Sequence, residues 1–302
     1  MADYDDARYY IDTVGSRLIQ IRNNGDIAEF NHEEKSIQTY HKQNIVDVTY
    51  NCSKSIDEKQ MIIYANGDIY MDSKLKYEGE KIGKIEGAVG AAQGGNHAAI
   101  VTKDRKLYVY GDNSDGALGI PEIKTTNGFI LNEEVEDVVK VICGFDHTFV
   151  LNSKGEIFGC GTWLEKTYTS FVKFDVASPI VDIACTGSYY NADTVIALNN
   201  KGNVYEIGYS FFGGRFHTYR KELGKIDFLS NIVSFSTALN KGAAIDNKGK
   251  IYCWGSRLKG KAAGEELKKK IYRISGVEKV FCGYSSVYAI KDKQVFLIPI
   301  PK

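Results

Sequence analysis

FVLNSKGEIFGCG, from Phe149 to Gly161, sets two short apolar runs on either side of a polar turn centred on Gly155. Phe149, Leu151, Ile157 and Gly159 fall on alternate positions, the period of two that marks a β-hairpin. The design recurs in IQIRNNGDIAEF around Gly25, IIYANGDIYM around Gly67, AIVTKDRKLYVYG around Arg105, VIALNNKGNVYEIG around Gly202, AAIDNKGKIYCWG around Gly249 and VYAIKDKQVFLI around Gln294. Seven copies spaced about 38 to 50 residues apart are the signature of a repeat architecture. The dipeptides Asn-Gly and Lys-Gly at the turns place Gly where the backbone needs a positive φ, so Gly67, Gly155, Gly202 and Gly249 are expected there. Gly128, by contrast, reads as a loop residue.

Upstream of each hairpin lies another short apolar strand, such as Val138 to Cys143 or Val280 to Cys282, and upstream again a further one, such as Ser170 to Asp175. Each repeat therefore supplies about four strands. Four-stranded units repeated seven times predict an all-β, seven-bladed β-propeller, a ring that leaves few sheet edges open. At about 43 residues per blade the repeats use the whole 302-residue chain as one domain, 1–302. The last copy has no fourth strand after it. The segment before Tyr9 is expected to supply one and close the ring.

Composition agrees with many small cores: 12% aromatic residues, 20 Tyr and 30 Gly against 25% charged residues. No apolar run approaches the roughly 18 residues of a membrane helix, and MADYDDARYY has neither a basic nor an apolar leader region. An intracellular protein, cytoplasmic or nucleocytoplasmic, is expected. The Lys-, Asn- and Ile-rich composition suits a protist, another eukaryote or a bacterium that delivers the protein into a host cell.

Cys52, Cys143, Cys185 and Cys282 sit near the ends of upstream strands, one repeat position filled several times, and no Cys-x-x-Cys pair occurs. They read as small buried hydrophobes, with no metal or disulfide framework. With 38 basic and 38 acidic residues, no global pull toward nucleic acid or chromatin is expected.

The stretch from Gly94 to Gly119, GGNHAAIVTKDRKLYVYGDNSDGALG, resembles the repeat of the RCC1 superfamily: G-x-x-H, a strand, a turn, a second strand, then G-x-N-x-x-G-x-L-G. Gly144 to Gly161 repeats its first half, and partial copies recur at Gly208 and Gly213 and at Trp254, Gly255 and Gly260. The chain has no Trp-Asp dipeptide, and its Gly-Gly pairs at 94 and 213 fall at different repeat positions, which argues against WD and kelch propellers. The resemblance implies a protein-binding platform, a regulator or scaffold for a small GTPase or another protein partner. In the family's Ran exchange factor, G-x-x-H and G-x-D-H residues on one face contact the GTPase. The matching residues are Asn96 and His97 in blade three, and Asp146 and His147 in blade four. The exchange factor's β-wedge has no counterpart here, because no interval exceeds 50 residues. Guanine nucleotide exchange on a Ran-like GTPase is therefore the alternative reading. A tie between one blade and the next is the structural alternative for His97 and His147.

Two other segments read as binding surfaces. YSFFGGRFHTY carries Tyr209, Phe211, Phe212, Arg215 and Phe216, the residue types that dominate protein interfaces. RLKGKAAGEELKKKIYR carries Arg257, Lys259, Lys261, Lys268, Lys269, Lys270 and Arg273, a basic patch whose centre has helix formers for one or two exposed turns. Local packing and a solvated face are their plainer readings. Among five histidines, with His32 and His41 in divergent stretches, no acid, base or metal set converges, so a propeller enzyme such as a lyase finds no catalytic residues here. A monomer with no cofactor and no metal is expected.

Overall fold

The computed structural model describes residues 8–11, 17–22, 26–31, 36–50, 60–73, 79–163, 166–176, 178–186, 194–209, 219–238, 241–255, 270–282 and 286–299. They form seven antiparallel sheets in chain order: blade one 8–40, two 45–84, three 88–132, four 138–174, five 180–225, six 232–273 and seven 277–299. The first six have four strands each and the last has three, in the order of the chain. The fold is a seven-bladed β-propeller. The described residues contain no helix that is long and apolar enough to cross a membrane.

The strand grouping corrects one expectation. Lys166–Phe174, which contains the run from Ser170, pairs with Ile157–Trp163 before it, so the fourth strand closes the preceding hairpin's blade and does not open the next. Gly128 likewise lies in a fourth strand, Thr125–Asn132, and not in a loop.

Neighbouring blades hold each other by apolar clusters. Ala99, Leu107 and Val109 of blade three pack with Val138, Val141 and Val150 of blade four, and Phe149, Leu151 and Ile157 pack with Ile180 and Ile183 of blade five. Leu18 of blade one packs with Tyr288 and Ile290 of blade seven, and Tyr9 lies 5.9 Å from Phe281, which brings the two ends of the ring together. The second strand of a blade lies between two neighbours and is buried on both faces, as throughout His147–Asn152 and Thr194–Asn199. Strict alternation survives in strands such as Leu107–Asp112.

Gly67, Gly155, Gly202 and Gly249 all have positive φ, at 86°, 78°, 74° and 75°. In the blade-four turn the Gly155 N–H donates to the Asn152 carbonyl at 3.0 Å, and the Asn152 N–H donates to the Glu156 carbonyl at 3.0 Å. This is a three-residue loop with glycine at its left-handed position. The Asn152 side chain completes it, its Oδ1 accepting from the N–H groups of Lys154 and Glu156; Asn199 and Asp246 do the same in blades five and six. Arg105 takes the left-handed position in blade three with φ 63°, and blade seven uses Asp292 and Lys293 at φ 49° and 63°. Gly25 lies outside the described residues.

A second left-handed position recurs just before the first strand, at Asn44, Gly87, Asp137, Asn231 and Gly276. The Asp137 carbonyl accepts from the Ser153 N–H at 2.9 Å, and the Gly87 carbonyl from Lys103 at 2.8 Å. Each hairpin turn is thereby pinned to the entry of its own blade.

Among the described cysteines, Cys143, Cys160, Cys253 and Cys282 are buried and Cys185 half-buried. The Cys185 thiol donates to the Cys143 carbonyl at 3.1 Å, and the Thr237 hydroxyl to the Cys185 carbonyl at 3.0 Å, so this repeat position links successive blades. Burial pushes the Cys143 thiol up to about 12. Cys52 lies outside the described residues, and in blade two the register puts Tyr50 at this position.

Candidate functional site

The G-x-x-H turn joins the first strand of a blade to the second. In blade three it runs from Gly94 to His97, with the Gly94 N–H donating to the His97 carbonyl at 2.8 Å; in blade four the Gly144 N–H donates to the His147 carbonyl at 3.0 Å. The glycine makes room for the histidine. A Cβ on Gly144 would overlap the His147 ring, and one on Gly94 the His97 ring. The third strand then fastens the turn from outside, as the Asp112 N–H donates to the Asn96 carbonyl at 3.0 Å and the Thr162 N–H to the Asp146 carbonyl at 2.8 Å. Gly161, at φ 100°, allows this close approach, because a Cβ there would collide with the Asp146 carbonyl.

The two turns also bind each other: the Gly95 N–H donates to the Phe145 carbonyl at 2.8 Å. His97 is 5% exposed and His147 fully buried, so neither ring is presented to solvent, which corrects their expected outward position. His147 meets Phe149 edge-on at 5.4 Å, inside a cluster with Trp163, Phe174 and Tyr168. His97 has its pKa lowered to about 4, first by burial and then by the neighbouring His147, so its imidazole is neutral near pH 7. Asn96 is exposed and Asp146 half-buried. Buried histidines thus fix two adjacent turns, one with Asn96 exposed and the other with Asp146 half-buried.

The G-x-N-x-x-G-x-L-G segment builds the neighbouring lip. Asn113 is its centre, its Oδ1 accepting from the Leu118 N–H at 2.8 Å and its Nδ2 donating to the carbonyls of Ile120 and Ile123. The Thr148 hydroxyl of blade four donates to the Ala117 carbonyl at 2.7 Å, and that of Thr162 to the Asp115 carbonyl at 3.3 Å. Ser114 donates twice to Asp112 Oδ1 and holds that carboxyl below its usual range. The seam of blades three and four therefore places Asn96, Asp146, Asp112 and Asp115 beside one another, with the Asp112 carboxyl held below its usual range. Sequence reasoning missed Asp112 and Asp115, although both stand inside the motif it quoted.

Both other predicted segments join third to fourth strands, as the blade-three lip does, so their anchors lie at this same end of the ring. Tyr209 pairs with Tyr219 across the end of blade five. Phe211, Phe212, Arg215 and Phe216 lie outside the described residues. In blade six Lys270 pairs with Cys253 and Arg273 with Lys250, so this end of the basic segment is a strand, Lys270–Arg273, while its centre lies outside the described residues. Arg257, Lys259, Lys261, Lys268 and Lys269 lie outside the described residues. No group of three or more His, Cys, Asp or Glu that could hold a metal occurs among the described residues.

The Regulator of chromosome condensation (RCC1) repeat matches residues 89–117, the first three strands of blade three and the start of the lip that follows. Protein pim1 of Schizosaccharomyces pombe is 28% identical over 203 residues, 57% of this chain and 37% of that protein. The secretion-regulating guanine nucleotide exchange factor of Mus musculus is 35% identical over 71 residues, 23% of this chain and 15% of that protein. The chain thus spans less than half the length of either relative. Prp20p of Saccharomyces cerevisiae, whose structure was described together with its binding to Gsp1p and histones, superposes with a TM-score of 0.66 at 13% identity, covering 90% of this chain and 79% of that one. Repeat, ring and turn geometry define a seven-bladed propeller with G-x-x-H turns in blades three and four. The chain is a seven-bladed β-propeller that carries an RCC1-type repeat and is similar to RCC1-family proteins.

Proposed function

We propose that this propeller is a protein-binding platform that engages a small GTPase through the G-x-x-H side of blades three and four, and that it acts inside the cell as a single closed ring. One observation carries the reading: the Gly95–Phe145 bond and two buried histidines hold exposed Asn96 and half-buried Asp146 on adjacent turns. A rigid polar pair beside the carboxylates of Asp112 and Asp115 suits a partner surface rich in Lys or Arg. The relatives support it, since Prp20p binds Gsp1p and a mouse relative is named an exchange factor. The buried histidines act here as positioning residues.

The test is binding of a Ran-type GTPase to the full chain, with release of fluorescent GDP followed in the same samples. Binding without faster release makes the protein a scaffold or regulator. Accelerated release makes it an exchange factor, the second reading, which the match to the mouse factor favours. Absence of binding overturns both.

A further inference from the structure

The opposite side of the ring carries a pattern that the first reading does not use. There the first strands begin and the hairpin turns end, as the pairing of Val138 with Asn152 shows. In five successive blades the second residue of the first strand is valine: Val46, Val89, Val139, Val181 and Val233. The ladder slips at four of these positions, between Ile45 and Asp47, Val138 and Lys140, Ile180 and Asp182, and Ile232 and Ser234, which leaves the valine between them without a cross-strand partner. Val139 is 46% exposed, and Val181 and Val233 are each 54% exposed. Blade seven has Glu278 at this place, also exposed, so the fold itself does not require an apolar group there.

Exposed lysines alternate with these valines. Lys154, Lys201 and Lys248 stand at the tips of the blade-four, -five and -six hairpins. The Gly155 carbonyl accepts from the Ile180 N–H at 2.9 Å and the Gly202 carbonyl from Ile232 at 3.0 Å, which sets Lys154 next to Val181 and Lys201 next to Val233. Around the mouth the order is therefore Val139, Lys154, Val181, Lys201, Val233, Lys248. Nearby acids are few or engaged: Glu156 is held by Lys173 at 2.6 Å, Asp182 pairs with Lys140 at 2.5 Å, and the connectors add Asp175 and Asp227 against Lys225. Glu133, Glu136 and Asp137 precede Val139, so the positive stretch begins at Lys154.

We propose that this side of blades four to six is a second docking surface, for an extended acidic peptide segment that carries aliphatic residues at alternate positions. Isopropyl groups and lysine stems receive the aliphatic side chains, while the ammonium groups meet the carboxylates. An extended chain, whose side chains alternate at a period of two, offers the two kinds of group in turn.

Fluorescence anisotropy on the full chain tests this with labelled twelve-residue peptides alternating Glu with Leu, Glu with Ser, or Lys with Leu. The Glu–Leu peptide is expected to bind with an affinity that falls as salt rises, and the other two at least about tenfold more weakly. Lys201→Glu and Val233→Thr, both at exposed positions, are each expected to weaken the Glu–Leu peptide by about tenfold at unchanged melting temperature, while Asn96→Ala leaves it untouched. No binding of the Glu–Leu peptide, equal binding of the Glu–Ser peptide, or undiminished binding to Lys201→Glu overturns the proposal. The peptides need no GTPase, so this outcome is independent of the reading for the other face.

Discussion

Gly155 and Ile180 join blade four to blade five: the Gly155 carbonyl accepts the Ile180 N–H at 2.9 Å, and the glycine sits at φ 78° with Pro179 Cβ 2.7 Å from where a Cβ would stand. Gly155→Val adds both a left-handed β-branched residue and a clash at a blade junction. It is expected to destabilise the fold by well over about 1 kcal/mol. Gly128→Val meets nothing within 4 Å, in a strand where valine is favoured, and is expected to change stability by less than about 0.5 kcal/mol. Equal losses in thermal melts of the two variants would show that the turn register is wrong.

His97 gives the fold a pH dependence. Its pKa is about 4 in the folded chain against an ordinary 6.5, so between those values the unfolded chain takes up a proton that the folded chain refuses. Stability therefore falls as pH drops through 6.5 toward 4, by an amount on the order of 3 kcal/mol in all. Asp112 and Glu156 have depressed values too, but their contribution is lost only below their ordinary values of 3.8 and 4.5. Denaturant midpoints between pH 7 and 5 isolate the histidine. The wild type should lose stability over that range and His97→Gln should lose less; identical slopes would contradict the burial of a neutral imidazole.

Much of this architecture is legible in the residues because each turn carries its own chemistry. Asn-Lys-Gly and Asn-Gly mark the hairpins, and the four predicted positive-φ glycines stand where they were expected. The blade to which a fourth strand belongs was not legible, since Lys166–Phe174 has the same alternating character whichever neighbour it joins and only register decides. The outward position assigned to His97 and His147 fails for a steric reason. Glycine three residues earlier leaves a hole that the ring fills, so the G-x-x-H motif buries its histidine while Asn96 before it is exposed and Asp146 half-buried. The left-handed residues before the first strands, Asn44, Asp137 and Asn231 among them, carried a readable signal in the small polar residue that precedes each apolar run.

Blade seven has three strands among the described residues, and its last, Gln294–Pro299, exposes Phe296 and Leu297 at 44% and 41%. We propose that residues 1–7 add the fourth strand and close the single domain, because an apolar edge otherwise invites pairing with another chain. Deleting residues 1–7 is then expected to lower the melting temperature by several degrees, roughly 1 to 2 kcal/mol for a chain of this size. An unchanged melting temperature would count against closure by this segment.

The most direct test of the platform reading measures affinity for a Ran-type GTPase and melting temperature on the same Asn96→Ala, Asp146→Ala and His147→Ala variants. Exposed Asn96 and half-buried Asp146 lie on turns whose backbones are fastened by the Asp112 and Thr162 N–H groups. Their truncation is expected to weaken binding by about 1 to 3 kcal/mol with little change in melting temperature. His147→Ala empties a buried aromatic cluster and should lower the melting temperature first. If Asn96→Ala and Asp146→Ala instead lower the melting temperature while the folded protein binds the GTPase as tightly as before, these turns tie blades together and this face is not where the partner binds.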